Sequence, residues 1–162
     1  MIDSKPTITF KRLTEAPLEN IVTHMSEPHL IKHMPLLDPE IIWDEKRAKE
    51  FVDDKETYWD KDGLGHWAFF YNGRYVGWGG FQKEGFEWDF GLVLKREHFG
   101  LGIHITHKAL DFAIKHKRIS SVTFLLPPSR KNLGGLERLG AVFVEEVKYA
   151  DVTFLKYRLQ TA

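Results

Sequence analysis

The chain has 162 residues, 43% hydrophobic and 28% charged, which is ordinary for one folded domain with a single sizeable core. Its 23 basic residues balance 23 acidic ones, which argues against nucleic acid as the main partner, because phosphate backbones recruit strongly basic surfaces. Cysteine is absent, so disulfides and thiol catalysis are excluded; no apolar run approaches about 18 residues and no signal-peptide pattern opens the chain, so we expect a soluble, cytoplasmic protein with no membrane span.

In chain order, Thr7 to Leu13 alternates and predicts a first strand. Pro17 stands where a helix begins, followed by the apolar stripe Leu18, Ile21, Val22 and Met25. Pro28 and Pro35 divide the next stretch into a short helix, HLIKHM, and a loop, PLLDPEII. Asp44 predicts the N-cap of a helix reaching Trp59, with Ala48, Phe51 and Val52 on its apolar face. Strands are expected at His66 to Tyr71 and Tyr75 to Gln82, joined by the hairpin turn Asn72-Gly73. A further strand, Phe86 to Leu94, runs through a short polar loop into a helix ending near His116. Ser121 to Leu126 reads as a buried strand stopped by Pro127-Pro128, and Ser129 to Leu139 as a helix. Ala141 to Val147 and Val152 to Leu159 form a last hairpin around Lys148 to Asp151. The order predicts an α+β fold in one domain spanning residues 1–162: a central mixed, mostly antiparallel sheet of about seven strands flanked by helices.

The stretch from Phe86 to His116 carries the chemistry. Its loop holds Gly100 and Gly102 and opens a helix, whose unpaired N–H groups and positive dipole end suit an anion; glycines let a phosphate approach the backbone. The P-loop is excluded because Ile103 and His104 follow Gly102, and the dinucleotide fingerprint because Ile105 stands at its third glycine. Gly91 is expected to mark a bulge that splays this strand from the next.

This element order, with a phosphate-type turn after the fourth strand, resembles the GNAT superfamily of N-acetyltransferases over nearly the whole chain. HMPLL and GLVLKREHFGLGI look closest to the branch of ribosomal-protein N-terminal acetyltransferases. The resemblance implies acetyl-CoA as cosubstrate, its pyrophosphate at the turn [RQ]-x-x-G-x-[GA], here Phe99, Gly100, Leu101, Gly102, Ile103 and His104. Phe99 and His104 depart from that pattern, while Gly102 fits it. It further implies that the backbone of Leu92, Val93 and Leu94 bonds the pantetheine amides. Ser129 and Asn132 align with a second family pattern, with the residue types swapped. Where many members have a tyrosine acting as general acid, this chain has Leu136.

Acetyl transfer requires a neutral amine, donors for the developing oxyanion and a proton for the leaving thiolate. Glu87 and Asp89 alternate onto one face of the strand, with Trp88 and Phe90 on the other. Asp89 is the preferred base and Glu87 the second candidate; the alternative is that both carboxylates face solvent. Ser129 is placed to donate to the thiolate or to cap a helix after Pro127-Pro128. Among the histidines, His24, His29 and His33 fall close in sequence but lack a zinc motif, so no metal is expected. The stripe His104, Lys108, Asp111, Lys115 reads as a solvated helix face, and Ile105, Ala109, Phe112 as core. The acceptor is expected under residues Met25 to Trp43 as a small-molecule amine or a peptide N-terminus, and the protein as monomer or homodimer. A CoA-binding domain of the same fold that performs no transfer is the rival reading, and an unrelated interaction module a third.

Overall fold

The computed structural model describes residues 7–30, 34, 38, 40–117, 119–128 and 134–161. Alternating apolar residues build seven strands: β1 (Ile8–Arg12), β2 (His66–Tyr71), β3 (Arg74–Glu84), β4 (Glu87–Leu94), β5 (Ser121–Leu126), β6 (Val142–Tyr149) and β7 (Val152–Gln160). Among the described residues four helices accompany them: α1 (Leu18–Met25), α2 (Glu45–Asp62), α3 (Gly102–Lys117) and α4 (Gly134–Leu139). The strands form one mixed sheet in the order β1-β2-β3-β4-β5-β7-β6, antiparallel except between β4 and β5. This is the expected α+β architecture.

Local chemistry explains the element boundaries. Asp44 caps α2 by accepting from the Arg47 N–H at 2.8 Å, which stabilises the helix by about 1 kcal/mol. Gly63, at φ 75°, ends it four residues beyond Trp59. Asn72 and Gly73 take φ 49° and 84°, the left-handed pair that a two-residue hairpin needs to match strand twist. The β6–β7 hairpin turns at Ala150 and Asp151, also at positive φ.

The sheet buries both faces. Trp67, Phe69, Phe81, Phe90 and Leu94 pack against Ile105 and Ala109 of α3. Ala68, Phe70, Tyr75 and Trp78 pack against α1 and α2 through Ile21, Met25, Ala48 and Val52. A side chain in β4 therefore meets α3 at even positions (Phe90, Leu94), while the odd ones, Glu87, Asp89, Gly91 and Val93, take the α1–α2 face.

Three expectations change. Phe86 lies in the β3–β4 turn rather than in the strand, and is fully exposed. The polar loop before α3 is a 3₁₀ turn, Arg96–Leu101, kinked at His98. Gly91 carries no bulge: β3 and β4 stay in register from Gly77↔Leu94 to Glu84↔Glu87, including Gly80↔Gly91. The pairing with the next strand, β5, is nevertheless where β4 comes free, as expected. β4 and β5 are joined at one position, Asp89 opposite Thr123, and no pair joins their C-terminal halves beyond it.

Candidate active site

The parting of β4 and β5 leaves the β5-side edge of Phe90 to Leu94 without strand partners, since the pairing between these strands ends at Asp89. On the α1–α2 face, this edge is bare at Gly91, which is exposed; a Cβ there would meet nothing within 4 Å. From Asp89 the unpaired edge of β4 runs toward the 3₁₀ turn and the start of α3. Gly100, on that turn, likewise faces open space, and the first turn of α3 holds no acidic residue. Gly102 is different: a Cβ there would rest against Leu92 and Leu94 at 3.6 and 3.7 Å, so it lies over β4.

The two carboxylates share a face but not an environment. Glu87 is paired with both Lys156 and Arg158 of β7. Hydrogen bonds from these two cations hold its carboxyl below the usual range, so it is a committed anion and a poor base. Asp89 lies between Glu87 and the start of the splay. Burial pushes its carboxyl up to about 7; the Thr123 hydroxyl, donating at 3.0 Å, and Lys156 oppose that rise, and Glu84 and Glu87 add to it. A carboxylate titrating near neutrality can both take up and release a proton at pH 7. The two candidates thus differ in what they can do: Glu87 is held as an anion, whereas Asp89 can exchange a proton near neutrality.

Around the bare glycine, the register brings up residues from two other strands and a helix. Gly91 pairs Gly80, which pairs His66; Val93 pairs Trp78. His66 is buried, and desolvation lowers its imidazole to about 3, with Lys55 acting in the same sense. Its ring meets Tyr58 at 5.7 Å and Trp78 at 6.0 Å. Lys55 of α2 lies among Phe51, Tyr58 and Trp78, and its ammonium is held below the ordinary value by burial. These rings wall the same sheet face as Asp89.

Beneath the other end of β4, His24 of α1 is fully buried and shares a 2.7 Å hydrogen bond with Tyr75 through Nδ1. Burial lowers the imidazole to about 4, partly offset by the backbone of Leu94. His29 approaches Phe99 at 6.0 Å, tying the segment after α1 to the phosphate-type turn.

The other expected residues fall as follows. Leu92 and Val93 are half-buried, Leu94 is buried, Leu101, Gly102 and Ile103 are half-buried, and Phe99, Gly100 and His104 are exposed. His104, Lys108, Asp111 and Lys115 form the solvated stripe, while Ile105 and Ala109 are core. Lys95 pairs with Glu97 at 3.6 Å. Ser129 and Asn132 lie outside the described residues, as do half of the residues of HLIKHM and of PLLDPEII. Of the segment expected over the acceptor, Met25, Leu30 and Trp43 are buried core residues. Leu136 packs against the core and brings no acid to the cleft. Thr123, Lys156 and Arg158 were not anticipated from sequence, because each reaches the site only through the β4–β5–β7 register.

No family model matches this sequence, and no curated protein matches it. Solved structures do. An acetyltransferase from Agrobacterium tumefaciens str. C58 superposes at TM-score 0.75, with 18% identity over 99% of this chain and 96% of that one. The fold is that of the GNAT acetyltransferases. A GNAT-family acetyltransferase from Bacillus anthracis is similar at TM-score 0.73 and 14% identity, covering 98% of this chain and 96% of its own. Spermidine N-acetyltransferase from Vibrio cholerae, in complex with CoA and spermine, is similar at 0.74 and 10%, covering 98% and 97%. At these identities the GNAT fold is what the likeness establishes for this chain.

Proposed function

We propose that this chain is an acetyl-CoA-dependent N-acetyltransferase that moves an acetyl group to a primary amine by direct attack in a ternary complex. The observation that carries the reading is the place of Asp89: a half-buried carboxylate, hydrogen-bonded to Thr123 where the β4–β5 pairing ends, which burial raises to about 7. Acetyl-CoA would supply an activated acyl group. The cleft suits it: the open β4 edge at Leu92, Val93 and Leu94 offers backbone N–H and C=O groups to the amides of a pantetheine arm. The bare turn at Gly100, the start of α3 and the chain at Phe99, Leu101, Gly102, Ile103 and His104 offer amides and a dipole to a pyrophosphate. Ser129 and Asn132 belong to the same assignment. Likeness to a solved structure that holds CoA supports it.

In this reading Asp89 takes the proton of the acceptor ammonium, directly or through a water, and later returns it to solvent. Glu87, locked by Lys156 and Arg158, holds the local charge in place. The need for a base depends on the acceptor. A peptide α-amine is roughly 14% neutral at pH 7, a lysine-like amine about 0.04%. The resemblance to ribosomal-protein N-terminal acetyltransferases favours a peptide α-amine. The aromatic wall of Phe51, Tyr58 and Trp78, together with spermine in the Vibrio cholerae structure, supports a small cationic amine equally well.

One observation favours a second reading. Leu136 stands where an acid for the leaving thiolate is expected and packs into the core, as it would in a CoA-binding domain that performs no transfer. A panel of peptide N-termini, polyamines, aminoglycosides and small metabolite amines, with CoA thiol release as readout, decides between them. Turnover with at least one amine, rising with pH through an acid limb near 7, is the expected result. Binding of acetyl-CoA without thiol release on any acceptor would establish the second reading.

A further inference from the structure

The base has a partner that belongs to the splay itself. Asp89 and Thr123 are the one backbone pair joining β4 to β5, and the side chains of the same two residues are hydrogen-bonded. Thr123 Oγ1 lies 3.0 Å from Asp89 Oδ1 and 3.4 Å from the carbonyl oxygen of Trp88. The threonine is 3% exposed, so water does not compete freely for its hydroxyl. A hydroxyl has one hydrogen to give and lone pairs to accept with, so it can satisfy either acceptor but donate to one at a time.

We propose that Thr123 is the positioning residue for Asp89, and that its hydroxyl follows the transferred proton. Before transfer it donates to the Asp89 carboxylate. When the acceptor's N–H bond breaks and the proton forms an O–H bond on Asp89, the new acid donates to Thr123 Oγ1, whose own hydrogen turns to the Trp88 carbonyl. The rotation makes and breaks no covalent bond, and Asp89 resets by releasing its proton to water. This role rests on Asp89 being the base of the proposed transfer.

The other charged groups around Asp89 cannot take this part. Glu84 of β3 and Glu87 of β4, as anions, only accept. Lys156 and Arg158 of β7 only donate, and both are bound to Glu87. Lys55 and Tyr58 of α2 bear on Glu84 from the neighbouring helix. Among the described residues, the threonine hydroxyl is the group hydrogen-bonded to the Asp89 side chain, and because it can both donate and accept it keeps a hydrogen bond in both protonation states.

The test is Thr123→Val, with Thr123→Ala as a second hydroxyl-free variant and Thr123→Ser as rescue. The carboxyl pKa of Asp89 is read by ¹³C NMR in the full chain without cosubstrate, assigned with Asp89→Asn. The pH profile of kcat/KM is measured on the acceptor found by the panel. Losing the donor to the carboxylate raises the carboxyl pKa by about one unit, because a hydrogen bond to a charged group exceeds one to a neutral group. The acid limb of kcat/KM should move to higher pH by the same amount, and serine should restore both. An Asp89 titration unchanged in both hydroxyl-free variants overturns the proposal, whatever their activity. A shifted titration with an unshifted rate profile also overturns it, by removing Asp89 as base while leaving acetyl transfer standing. Failure of the functional reading is distinct: the wild-type chain would then release no thiol, although the hydroxyl effect on the carboxyl would still be measurable.

Discussion

Asp89 joins the proposed activity and instability in one residue. Its carboxyl titrates near 7 in the folded chain against 3.8 in its ordinary state, so between those values the native protein holds a proton that the unfolded chain has lost. Stability contributed by this site is therefore present at acid pH and declines as pH rises through about 7. Asp89→Asn removes the charge and keeps an acceptor for Thr123. The variant should melt at a higher temperature than wild type at pH 8 and at nearly the same temperature at pH 4.5, by calorimetry. The same variant should lose about 10²- to 10⁴-fold in kcat/KM at pH 7, with the deficit shrinking as pH approaches the acceptor's own pKa. Glu87→Gln is the contrast: it releases Lys156 and Arg158 but leaves the base in place, so turnover should fall by less than about tenfold. Equal losses in the two variants would count against assigning the proton to Asp89.

At the scale of elements, β3 and the turn before α3 shape the cleft from opposite ends. A Cβ at Gly79 would stand 2.4 Å from the carbonyl oxygen of Gly91 and 3.0 Å from the Cα of Leu92. Backbone cannot yield as a side chain can, so Gly79→Ala would push β4 off β3 at the place where the cleft begins. Overpacking of this kind costs about 2 kcal/mol, or roughly 6 °C in melting temperature for a chain of this size. Gly100→Val should behave in the opposite way. Its side chain enters open space, so the melting temperature stays within about 2 °C while acetyl-CoA affinity, measured by titration calorimetry, falls at least tenfold. Unchanged affinity in that variant would mean that the turn does not hold the pyrophosphate.

For the whole molecule, ligand and proton linkage give two independent checks. Acetyl-CoA at 100 times its dissociation constant should stabilise the fold by about 2.7 kcal/mol, a rise of roughly 5 to 10 °C. A melting temperature unmoved by millimolar acetyl-CoA would contradict the proposed activity as well as the proposed binding. Without ligand, His24 and His66 dominate the acid side. Burial lowers them to about 4 and about 3, so below 6.5 the unfolded chain takes up protons that the native histidines refuse. The histidines' contribution should be full above pH 6.5 and fall as pH drops toward 4, where the two of them outweigh the opposite contribution of Asp89. A single histidine replacement, His66→Gln, should flatten that slope in denaturant titrations at pH 4.5, 5.5 and 6.5.

Much of this was legible in the linear sequence. Asn72-Gly73 specifies a hairpin because few residue pairs tolerate two positive φ values. Asp44 specifies a helix start because its carboxylate satisfies an orphan N–H. The alternation of Glu87, Asp89 and Gly91 put the acids on one face because a strand has period two. These are local properties, carried by a few bonded neighbours. What separates Glu87 from Asp89 is not local. Lys156 and Arg158 lie about 70 residues downstream of Glu87, and Thr123 lies 34 residues from Asp89. They converge only because β5 sits between β4 and β7 in the sheet. The splay likewise depends on where one parallel pairing stops, not on any residue of β4, which is why Gly91 suggested a bulge that β3 does not allow. The sequence by itself determined which elements form and which acids share a face, since those follow from backbone geometry and periodicity. Only the tertiary structure decided which acid is paired and which is poised near neutrality, because desolvation and charge act through space.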